Sequence, residues 1–159
     1  MALFVVWGIL FYITRGGNHM ITIGSFKDID SSYDEVWIIV RSLKGGTPQT
    51  GNCYHVPVLS PDWNLFKDYR KWADANAWDK ECFMERYVPR FLKQMKTPEA
   101  KQALNSLYFK SKNSNILLVC FCPDETMCHR SIVFGLLQGV GAETNGNDYS
   151  HFYDMYKEV

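Results

Sequence analysis

Two short stretches, "EVWIIVRS" at 35–42 and "NILLVCFC" at 115–122, limit this chain more than any other feature. Each is a nearly continuous apolar run rich in Val, Ile and Leu. A strand with one face in water alternates apolar and polar residues, so an unbroken run needs cover on both faces. Strands of that kind belong to parallel sheets overlaid by helices. "MITIGSF" (20–26) and "CYHVPVL" (53–59) read as two more strands. Pro57 has no N–H to give a ladder and pushes the latter toward an edge or an early end. The expected fold is a three-layer, mostly parallel α/β domain with helices on both faces, Rossmann-like.

Helical patterns fill the spaces between these runs. Ser60 and Pro61 suggest an N-cap followed by a first helical residue. Trp63, Phe66, Tyr69 and Trp72 then recur at near-helical spacing and are expected to pack in the core. A base-stacking platform is the sharper alternative, but basic residues do not interleave with the stripe. Phe83, Tyr87, Phe91 and Met95 follow at steps of four, and Pro89 should kink or restart that helix. Thr97-Pro98 opens another helix, expected to bury Ala100, Leu104, Leu107 and Tyr108. "HRSIVFGLLQGVG" is a helix with Ile132, Val133, Leu136 and Leu137 inward and Gly139 and Gly141 closing it. The aromatic tail "NDYSHFYDMYKEV" should dock as a short helix.

With 159 residues the chain suits one domain, assigned to residues 20–159. Residues 1–19 are set apart as an apolar leader. The run Ala2–Ile13 falls short of the roughly 20 residues that cross a bilayer, and it lacks the flanks of a signal peptide. Codons AGA-GGA-GGU would spell Arg15-Gly16-Gly17 and carry a ribosome-binding sequence two codons before Met20. Translated upstream sequence is therefore one reading of the leader, and a short anchor or docking helix is the other. Lys+Arg and Asp+Glu number 17 each, so no global basic field marks a nucleic-acid binder. Five cysteines, three of them crowded into one segment, do not make a secreted disulfide framework, and a reducing cytoplasm is expected.

In parallel sheets ligands bind beyond the carboxyl ends of the strands. That rule brings together Arg41 with the loop of Gly45 and Gly46, and the segment "CFCPDETMCHR" at 120–130. Four readings of that segment stand open. Cys120, Cys122, Cys128 and His129 could hold zinc or iron, with Cys53 and His55 as further candidates, although Cys-x-Cys-x5-Cys-His is not a common zinc spacing. Cys128, at a helix start beside His129, could be a reactive thiol with its acid/base. Arg41 and Arg130, with the first amides of the helix, could clamp a phosphate or carboxylate. The cysteines could also be small core residues, with Arg130 paired to Asp124 or Glu125.

Taken in order, "MITIGSF", "VRSLKGG", "LSPDWNLFKDY", "ERYVPRFL" and "LLVCFCPDETMCHRSIV" resemble the domain of unknown function 488 family, in its compact bacterial and phage form. The resemblance spans about residues 20–140. It singles out Cys128, His129 and Arg130 as the family's mark, with Cys120 and Arg41 as companions. Many relatives carry a glutamate where this chain has Cys122, which tilts the site toward a metal or a redox-sensitive thiol. The function expected is a small enzyme or binding protein acting on an anionic ligand, a nucleotide or nucleic-acid end, with Cys128 and His129 catalytic and Arg41, Arg130, Gly45 and Gly46 binding. The alternative is a metal-bearing structural or interaction module, such as a phage accessory protein engaging a host factor.

Overall fold

The computed structural model describes residues 19–48 and 51–159, together with a two-residue antiparallel ladder between Val5–Val6 and Ile9–Leu10. The expectations for the leader therefore fall largely outside the described residues. Five parallel strands form the sheet: β1 (Ile21–Gly24), β2 (Glu35–Ile38), β3 (Cys53–His55), β4 (Ile116–Val119) and β5 (Thr144–Asn145), in the order β3-β2-β4-β1-β5. All four residues of β4 are fully buried, and since successive side chains point to opposite faces, both faces of the sheet centre are covered. This is the α/β architecture that the apolar runs demand. Among the described residues, no helix is long and apolar enough to cross a membrane.

The connection from β3 to β4 carries most of the helices: α1 (Trp63–Asp74), α2 (Lys80–Cys82), α3 (Val88–Gln94) and α4 (Pro98–Ser111). The connection from β4 to β5 carries α5 (His129–Gly139), and α6 (His151–Glu158) ends the chain. By contrast, β1 reaches β2 with only a 3-10 turn at Phe26–Asp28. After β2 the chain runs to β3 on one side, and after β4 it runs to β5 on the other. The gap between β2 and β4 is thus the point where the winding reverses, the place where such sheets open a crevice.

Several boundaries differ from expectation. The strand from 115 ends at Val119 rather than 122, and the one from 53 ends at His55 at the sheet edge, with a 3-10 turn at Pro57–Leu59. Asp62, not Ser60, caps α1: its carboxylate accepts from Leu65 N at 2.8 Å. Ser60 is instead buried, with its hydroxyl donating to Pro57 O at 2.6 Å. Pro89 stands in the first turn of a restarted helix, α3, as expected. A π-turn at Phe83–Tyr87 precedes it, with Val88 N–H bonding Phe83 O, and this wider turn accommodates the proline's missing donor. Phe83, Tyr87, Phe91 and Met95 are all buried, as their spacing requires. In α4, Ala100 and Leu107 are buried, while Leu104 and Tyr108 are only partly covered.

Candidate functional site

The site forms where β2 and β4 leave the sheet. Beyond β4 the chain turns out of the ladder at Cys120, which is fully buried, and the Cys122 N–H points back onto Cys120 Sγ at 3.4 Å. An extended strand would hold the Cα atoms of Cys120 and Cys122 about 7 Å apart. Leaving the strand lets the sulfurs approach.

Cys128 is the N-cap of α5, in extended conformation (φ −136, ψ 144), and its Sγ accepts from Arg130 N at 3.4 Å. Because Cys128 is not yet helical, it and His129 can aim at the same spot, which two successive helical residues do not do. Cys120 Sγ and Cys128 Sγ lie 3.0 Å apart, and His129 Nδ1 is 3.9 Å from Cys128 Sγ. One ligand atom from each of Cys120, Cys122, Cys128 and His129 lies within 4.8 Å of the other three. His129 Nε2 meets Ile39 O at 2.5 Å, which makes Nε2 the protonated nitrogen and leaves the Nδ1 lone pair facing the sulfurs. Cys53 and His55 stand outside this group, and His55 Nε2 bonds Val40 O at 2.8 Å.

Three sulfurs this close cannot all ionise unaided. Side-chain hydrogen bonding to Cys122 and then to Cys128 holds the pKa of Cys120 down, to about 2. The same contact holds the proton on Cys122, pushed up to about 12, while burial and then Cys120 push Cys128 well above the thiol range. The three sulfurs therefore titrate as one coupled set, with ionisation favoured at Cys120 and disfavoured at Cys122 and Cys128. Burial lowers the pKa of His129 and keeps it neutral.

Above this floor opens a cleft of about 680 Å³. Trp63, Phe66 and Tyr69 of α1 form one wall, continued by Trp78 and Tyr87. These rings hold one another edge to face: Trp63 to Phe66 at 5.9 Å, Tyr69 to Trp78 at 4.8 Å, Trp78 to Tyr87 at 5.4 Å. Phe121 and Met127 also line the cleft. Trp63 and Phe121 are 52% and 64% exposed at the mouth, and Phe121 is braced by stacking on Phe26 at 4.5 Å. Cys122, Cys128 and His129 line the bottom, and Arg41 and Lys44 belong to the rim. The stripe on α1 is only in part core packing: Tyr69 and Trp72 pack against the core, while exposed Trp63 and half-buried Phe66, with Tyr69, line the cleft.

The two arginines do different things. Arg41 Nε donates to Pro61 O at 2.8 Å and Nη2 to Ser60 O at 3.0 Å, tying the end of β2 to the entrance of α1. Gln94 braces the same corner, donating to Ser60 O and accepting from Asp62 N. Arg130 is buried behind the cluster, its Nη1 donating to Gly24 O at 2.6 Å and its Nε without a hydrogen-bond partner. It does not line the cleft. Gly45 and Gly46 form an exposed turn beside Lys44 with φ of +88 and +80, a conformation glycine adopts freely.

A family model described as the Active DUF488-N3 subclade matches residues 21–141. The chain belongs to the DUF488 family. The match contains the whole Cys/His cluster and every residue that lines the cleft. No curated protein and no solved structure matches the chain. In this DUF488 protein the cysteines and histidine of the segment 120–130 do cluster, and the aromatic stripe on α1, for which a stacking platform was the alternative to core, lines the cleft in part. The spacing of Tyr87 pointed to core alone, and Trp78 and Phe121 carried no signal beyond being aromatic.

Proposed function

We propose that the cleft binds a planar, anionic ligand, a nucleotide or the end of a nucleic-acid strand, with its ring between the aromatic walls and its phosphate at the rim. The observation that carries this is the pairing of exposed Trp63 and Phe121 at the mouth of a deep aromatic cleft whose rim bears Arg41 and Lys44. Its volume lies within the range of about 300–1,000 Å³ typical of small-molecule sites. Stacking on an aromatic side chain contributes about 1–3 kcal/mol per base, and it needs a π-face rather than a particular base. Arg41 keeps N–H groups beyond the two that hold backbone carbonyls, and these serve a phosphate. Gly45 and Gly46 shape the turn that presents Lys44, while Arg130 supplies positive charge from behind the floor. The deep end of the ligand meets the floor formed by Cys122, Cys128 and His129. The description of the matched subclade as active supports a reaction rather than binding alone.

Thermal-shift titration with mononucleotides and short single-stranded oligonucleotides tests this. A ligand at a hundredfold excess over its Kd should stabilise the fold by about 2.7 kcal/mol, several degrees in Tm. Trp63→Ala should weaken that ligand by about 5- to 150-fold, the equivalent of one lost stacking contact. Arg41→Ala should weaken phosphorylated ligands more than the matching nucleosides. If nothing in the series gives a shift that Trp63→Ala reduces, the cleft does not bind nucleotides.

A further inference from the structure

We propose that Cys120, Cys122, Cys128 and Nδ1 of His129 hold one zinc ion at the floor of the cleft, with Cys122 as the ligand that a bound molecule displaces. The proposal deepens the reading of the cleft as a ligand site, because it makes the metal the deepest contact available there.

Geometry carries the metal. A tetrahedral zinc with Zn–S bonds near 2.3 Å sets its donors about 3.8 Å from one another. The observed separations bracket that value: 3.0 Å between Cys120 and Cys128, 3.9 Å from Cys128 to His129 Nδ1, and none of the set beyond 4.8 Å. Small shifts of side chains already in place complete the tetrahedron. Cysteines that merely pack have no reason to converge with an imidazole lone pair.

The surroundings match a metal site as well. A metal-bound histidine generally donates its other N–H to a backbone carbonyl or carboxylate. His129 does so to Ile39 O. Two sulfurs already accept backbone N–H groups, Cys120 from Cys122 and Cys128 from Arg130. Three thiolates with a divalent ion leave one net negative charge. Arg130, buried beside them, and the positive end of α5 oppose that charge. Three sulfurs and one nitrogen in a tetrahedral arrangement suit zinc better than magnesium or calcium, which take oxygen.

The ligands are not equal. Cys120 is fully buried at the end of β4, Cys128 is buried at the cap of α5, and His129 is held by Ile39. Cys122 alone is half-buried, and it sits on the loop that runs out to exposed Phe121 and Pro123. It also faces the cleft. Zinc with three fixed protein ligands and one exchangeable position is the catalytic type, whereas four fixed ligands make a structural site. A ring nitrogen, carbonyl oxygen or water at the deep end of the ligand would take the position of Cys122. Cys122 then leaves as a thiolate: incoming water would pass it the proton that the metal acidifies, and with a ring nitrogen or carbonyl oxygen the proton comes from solvent. No electron changes hands.

The test is elemental analysis of the full chain, purified without chelator under reducing conditions, followed by cobalt substitution. One zinc per chain is expected, and cobalt should give intense d–d bands with sulfur-to-metal charge transfer, as a tetrahedral sulfur-rich site requires. Cys120→Ser, Cys128→Ser and His129→Gln should lose the metal. Cys122→Ser should keep it, with affinity lowered by about 10- to 100-fold and charge-transfer intensity reduced by one sulfur's share. Imidazole, used as a small nitrogen ligand, should shift the cobalt d–d bands in Cys122→Ser at lower concentration than in the parent.

A folded, metal-free chain that gives no cobalt bands overturns the site, and so does stoichiometric iron in place of zinc. Loss of metal from Cys122→Ser as complete as from Cys120→Ser overturns the displaceable ligand. Nucleotide binding by a metal-free chain would sink the zinc and spare the cleft. Zinc without nucleotide binding would do the reverse.

Discussion

Replacing Gly135 with alanine should loosen the helix that carries the site. A Cβ at Gly135 would lie 2.1 Å from the carbonyl oxygen of Tyr149, 2.8 Å from its carbonyl carbon and 3.0 Å from its Cβ. Carbon–oxygen contacts settle at about 3.3–3.6 Å, so the Tyr149 backbone would have to retreat by about 1.2 Å or more. That carbonyl accepts from Phe152 N at 3.0 Å, so moving it disturbs the first turn of α6, and Phe152 is among the largest fully buried side chains. If α6 shifts as a body, the cost is that of an overpacked core, about 1–3 kcal/mol. If it lets go, the ceiling is the loss of Phe152, about 3–5 kcal/mol. Alanine returns about 1 kcal/mol as the better helix former. The net expectation is a loss of about 0–2 kcal/mol if α6 shifts and about 2–4 kcal/mol if it lets go, the latter a fall in Tm on the order of 4–16 °C for a chain this long. Thermal unfolding followed by circular dichroism measures it. Without the clash alanine would gain about 1 kcal/mol, so a Gly135→Ala protein more stable than its parent would refute the close seating of α5 on α6.

Three further outcomes follow from the same structure. Asp62→Ala should cost about 0.5–2 kcal/mol in denaturant unfolding, because its carboxylate caps α1; if Asp62→Ala leaves stability unchanged, the cap is misassigned. Phe91→Ala should cost about 3–5 kcal/mol, since Phe91 is fully buried with its ring 5.8 Å from that of His129, and Phe91→Leu should recover most of the loss; equal losses would show that its bulk is not what matters. Diamide treatment of metal-free protein should join Cys120 to Cys128 before any other pair, read by peptide mapping, because their sulfurs lie 3.0 Å apart; a dominant link through Cys53 or Cys82 would contradict the cluster.

How far the sequence went depended on the range of the physics involved. Continuous apolar runs at 35–42 and 115–122 announced strands covered on both faces, because the two-residue period of a strand is a local property. Thr97 before Pro98 announced the start of α4, and Thr97 Oγ1 accepts from Ala100 N there. At Ser60-Pro61 the same logic failed. Ser60 and Pro61 lend their carbonyls to Arg41, and Ser60 to Gln94, so the helix waits for Asp62. Those partners lie 19 to 34 residues away, too far for any local window along the chain to reveal the pairing.

The site divides along the same line. By itself the sequence determined which chemical groups stand at the ends of the central strands: Arg41 after β2, and Cys120, Cys122, Cys128 and His129 after β4. Only the tertiary structure decided how they meet. Its three contributions were an early exit from β4, an extended cap at Cys128, and an imidazole turned by Ile39 O so that four donors converge. Arg130 was sent to the Gly24 carbonyl behind the floor, and the stripe on α1 was divided, Trp63 and Phe66 going to the cleft wall while Tyr69 and Trp72 pack against the core. A side chain's direction relative to its own element follows from local period. What lies in that direction depends on elements distant in sequence, and the packing of α1, the Phe83–Tyr87 turn and the β4–α5 loop around one crevice settled it.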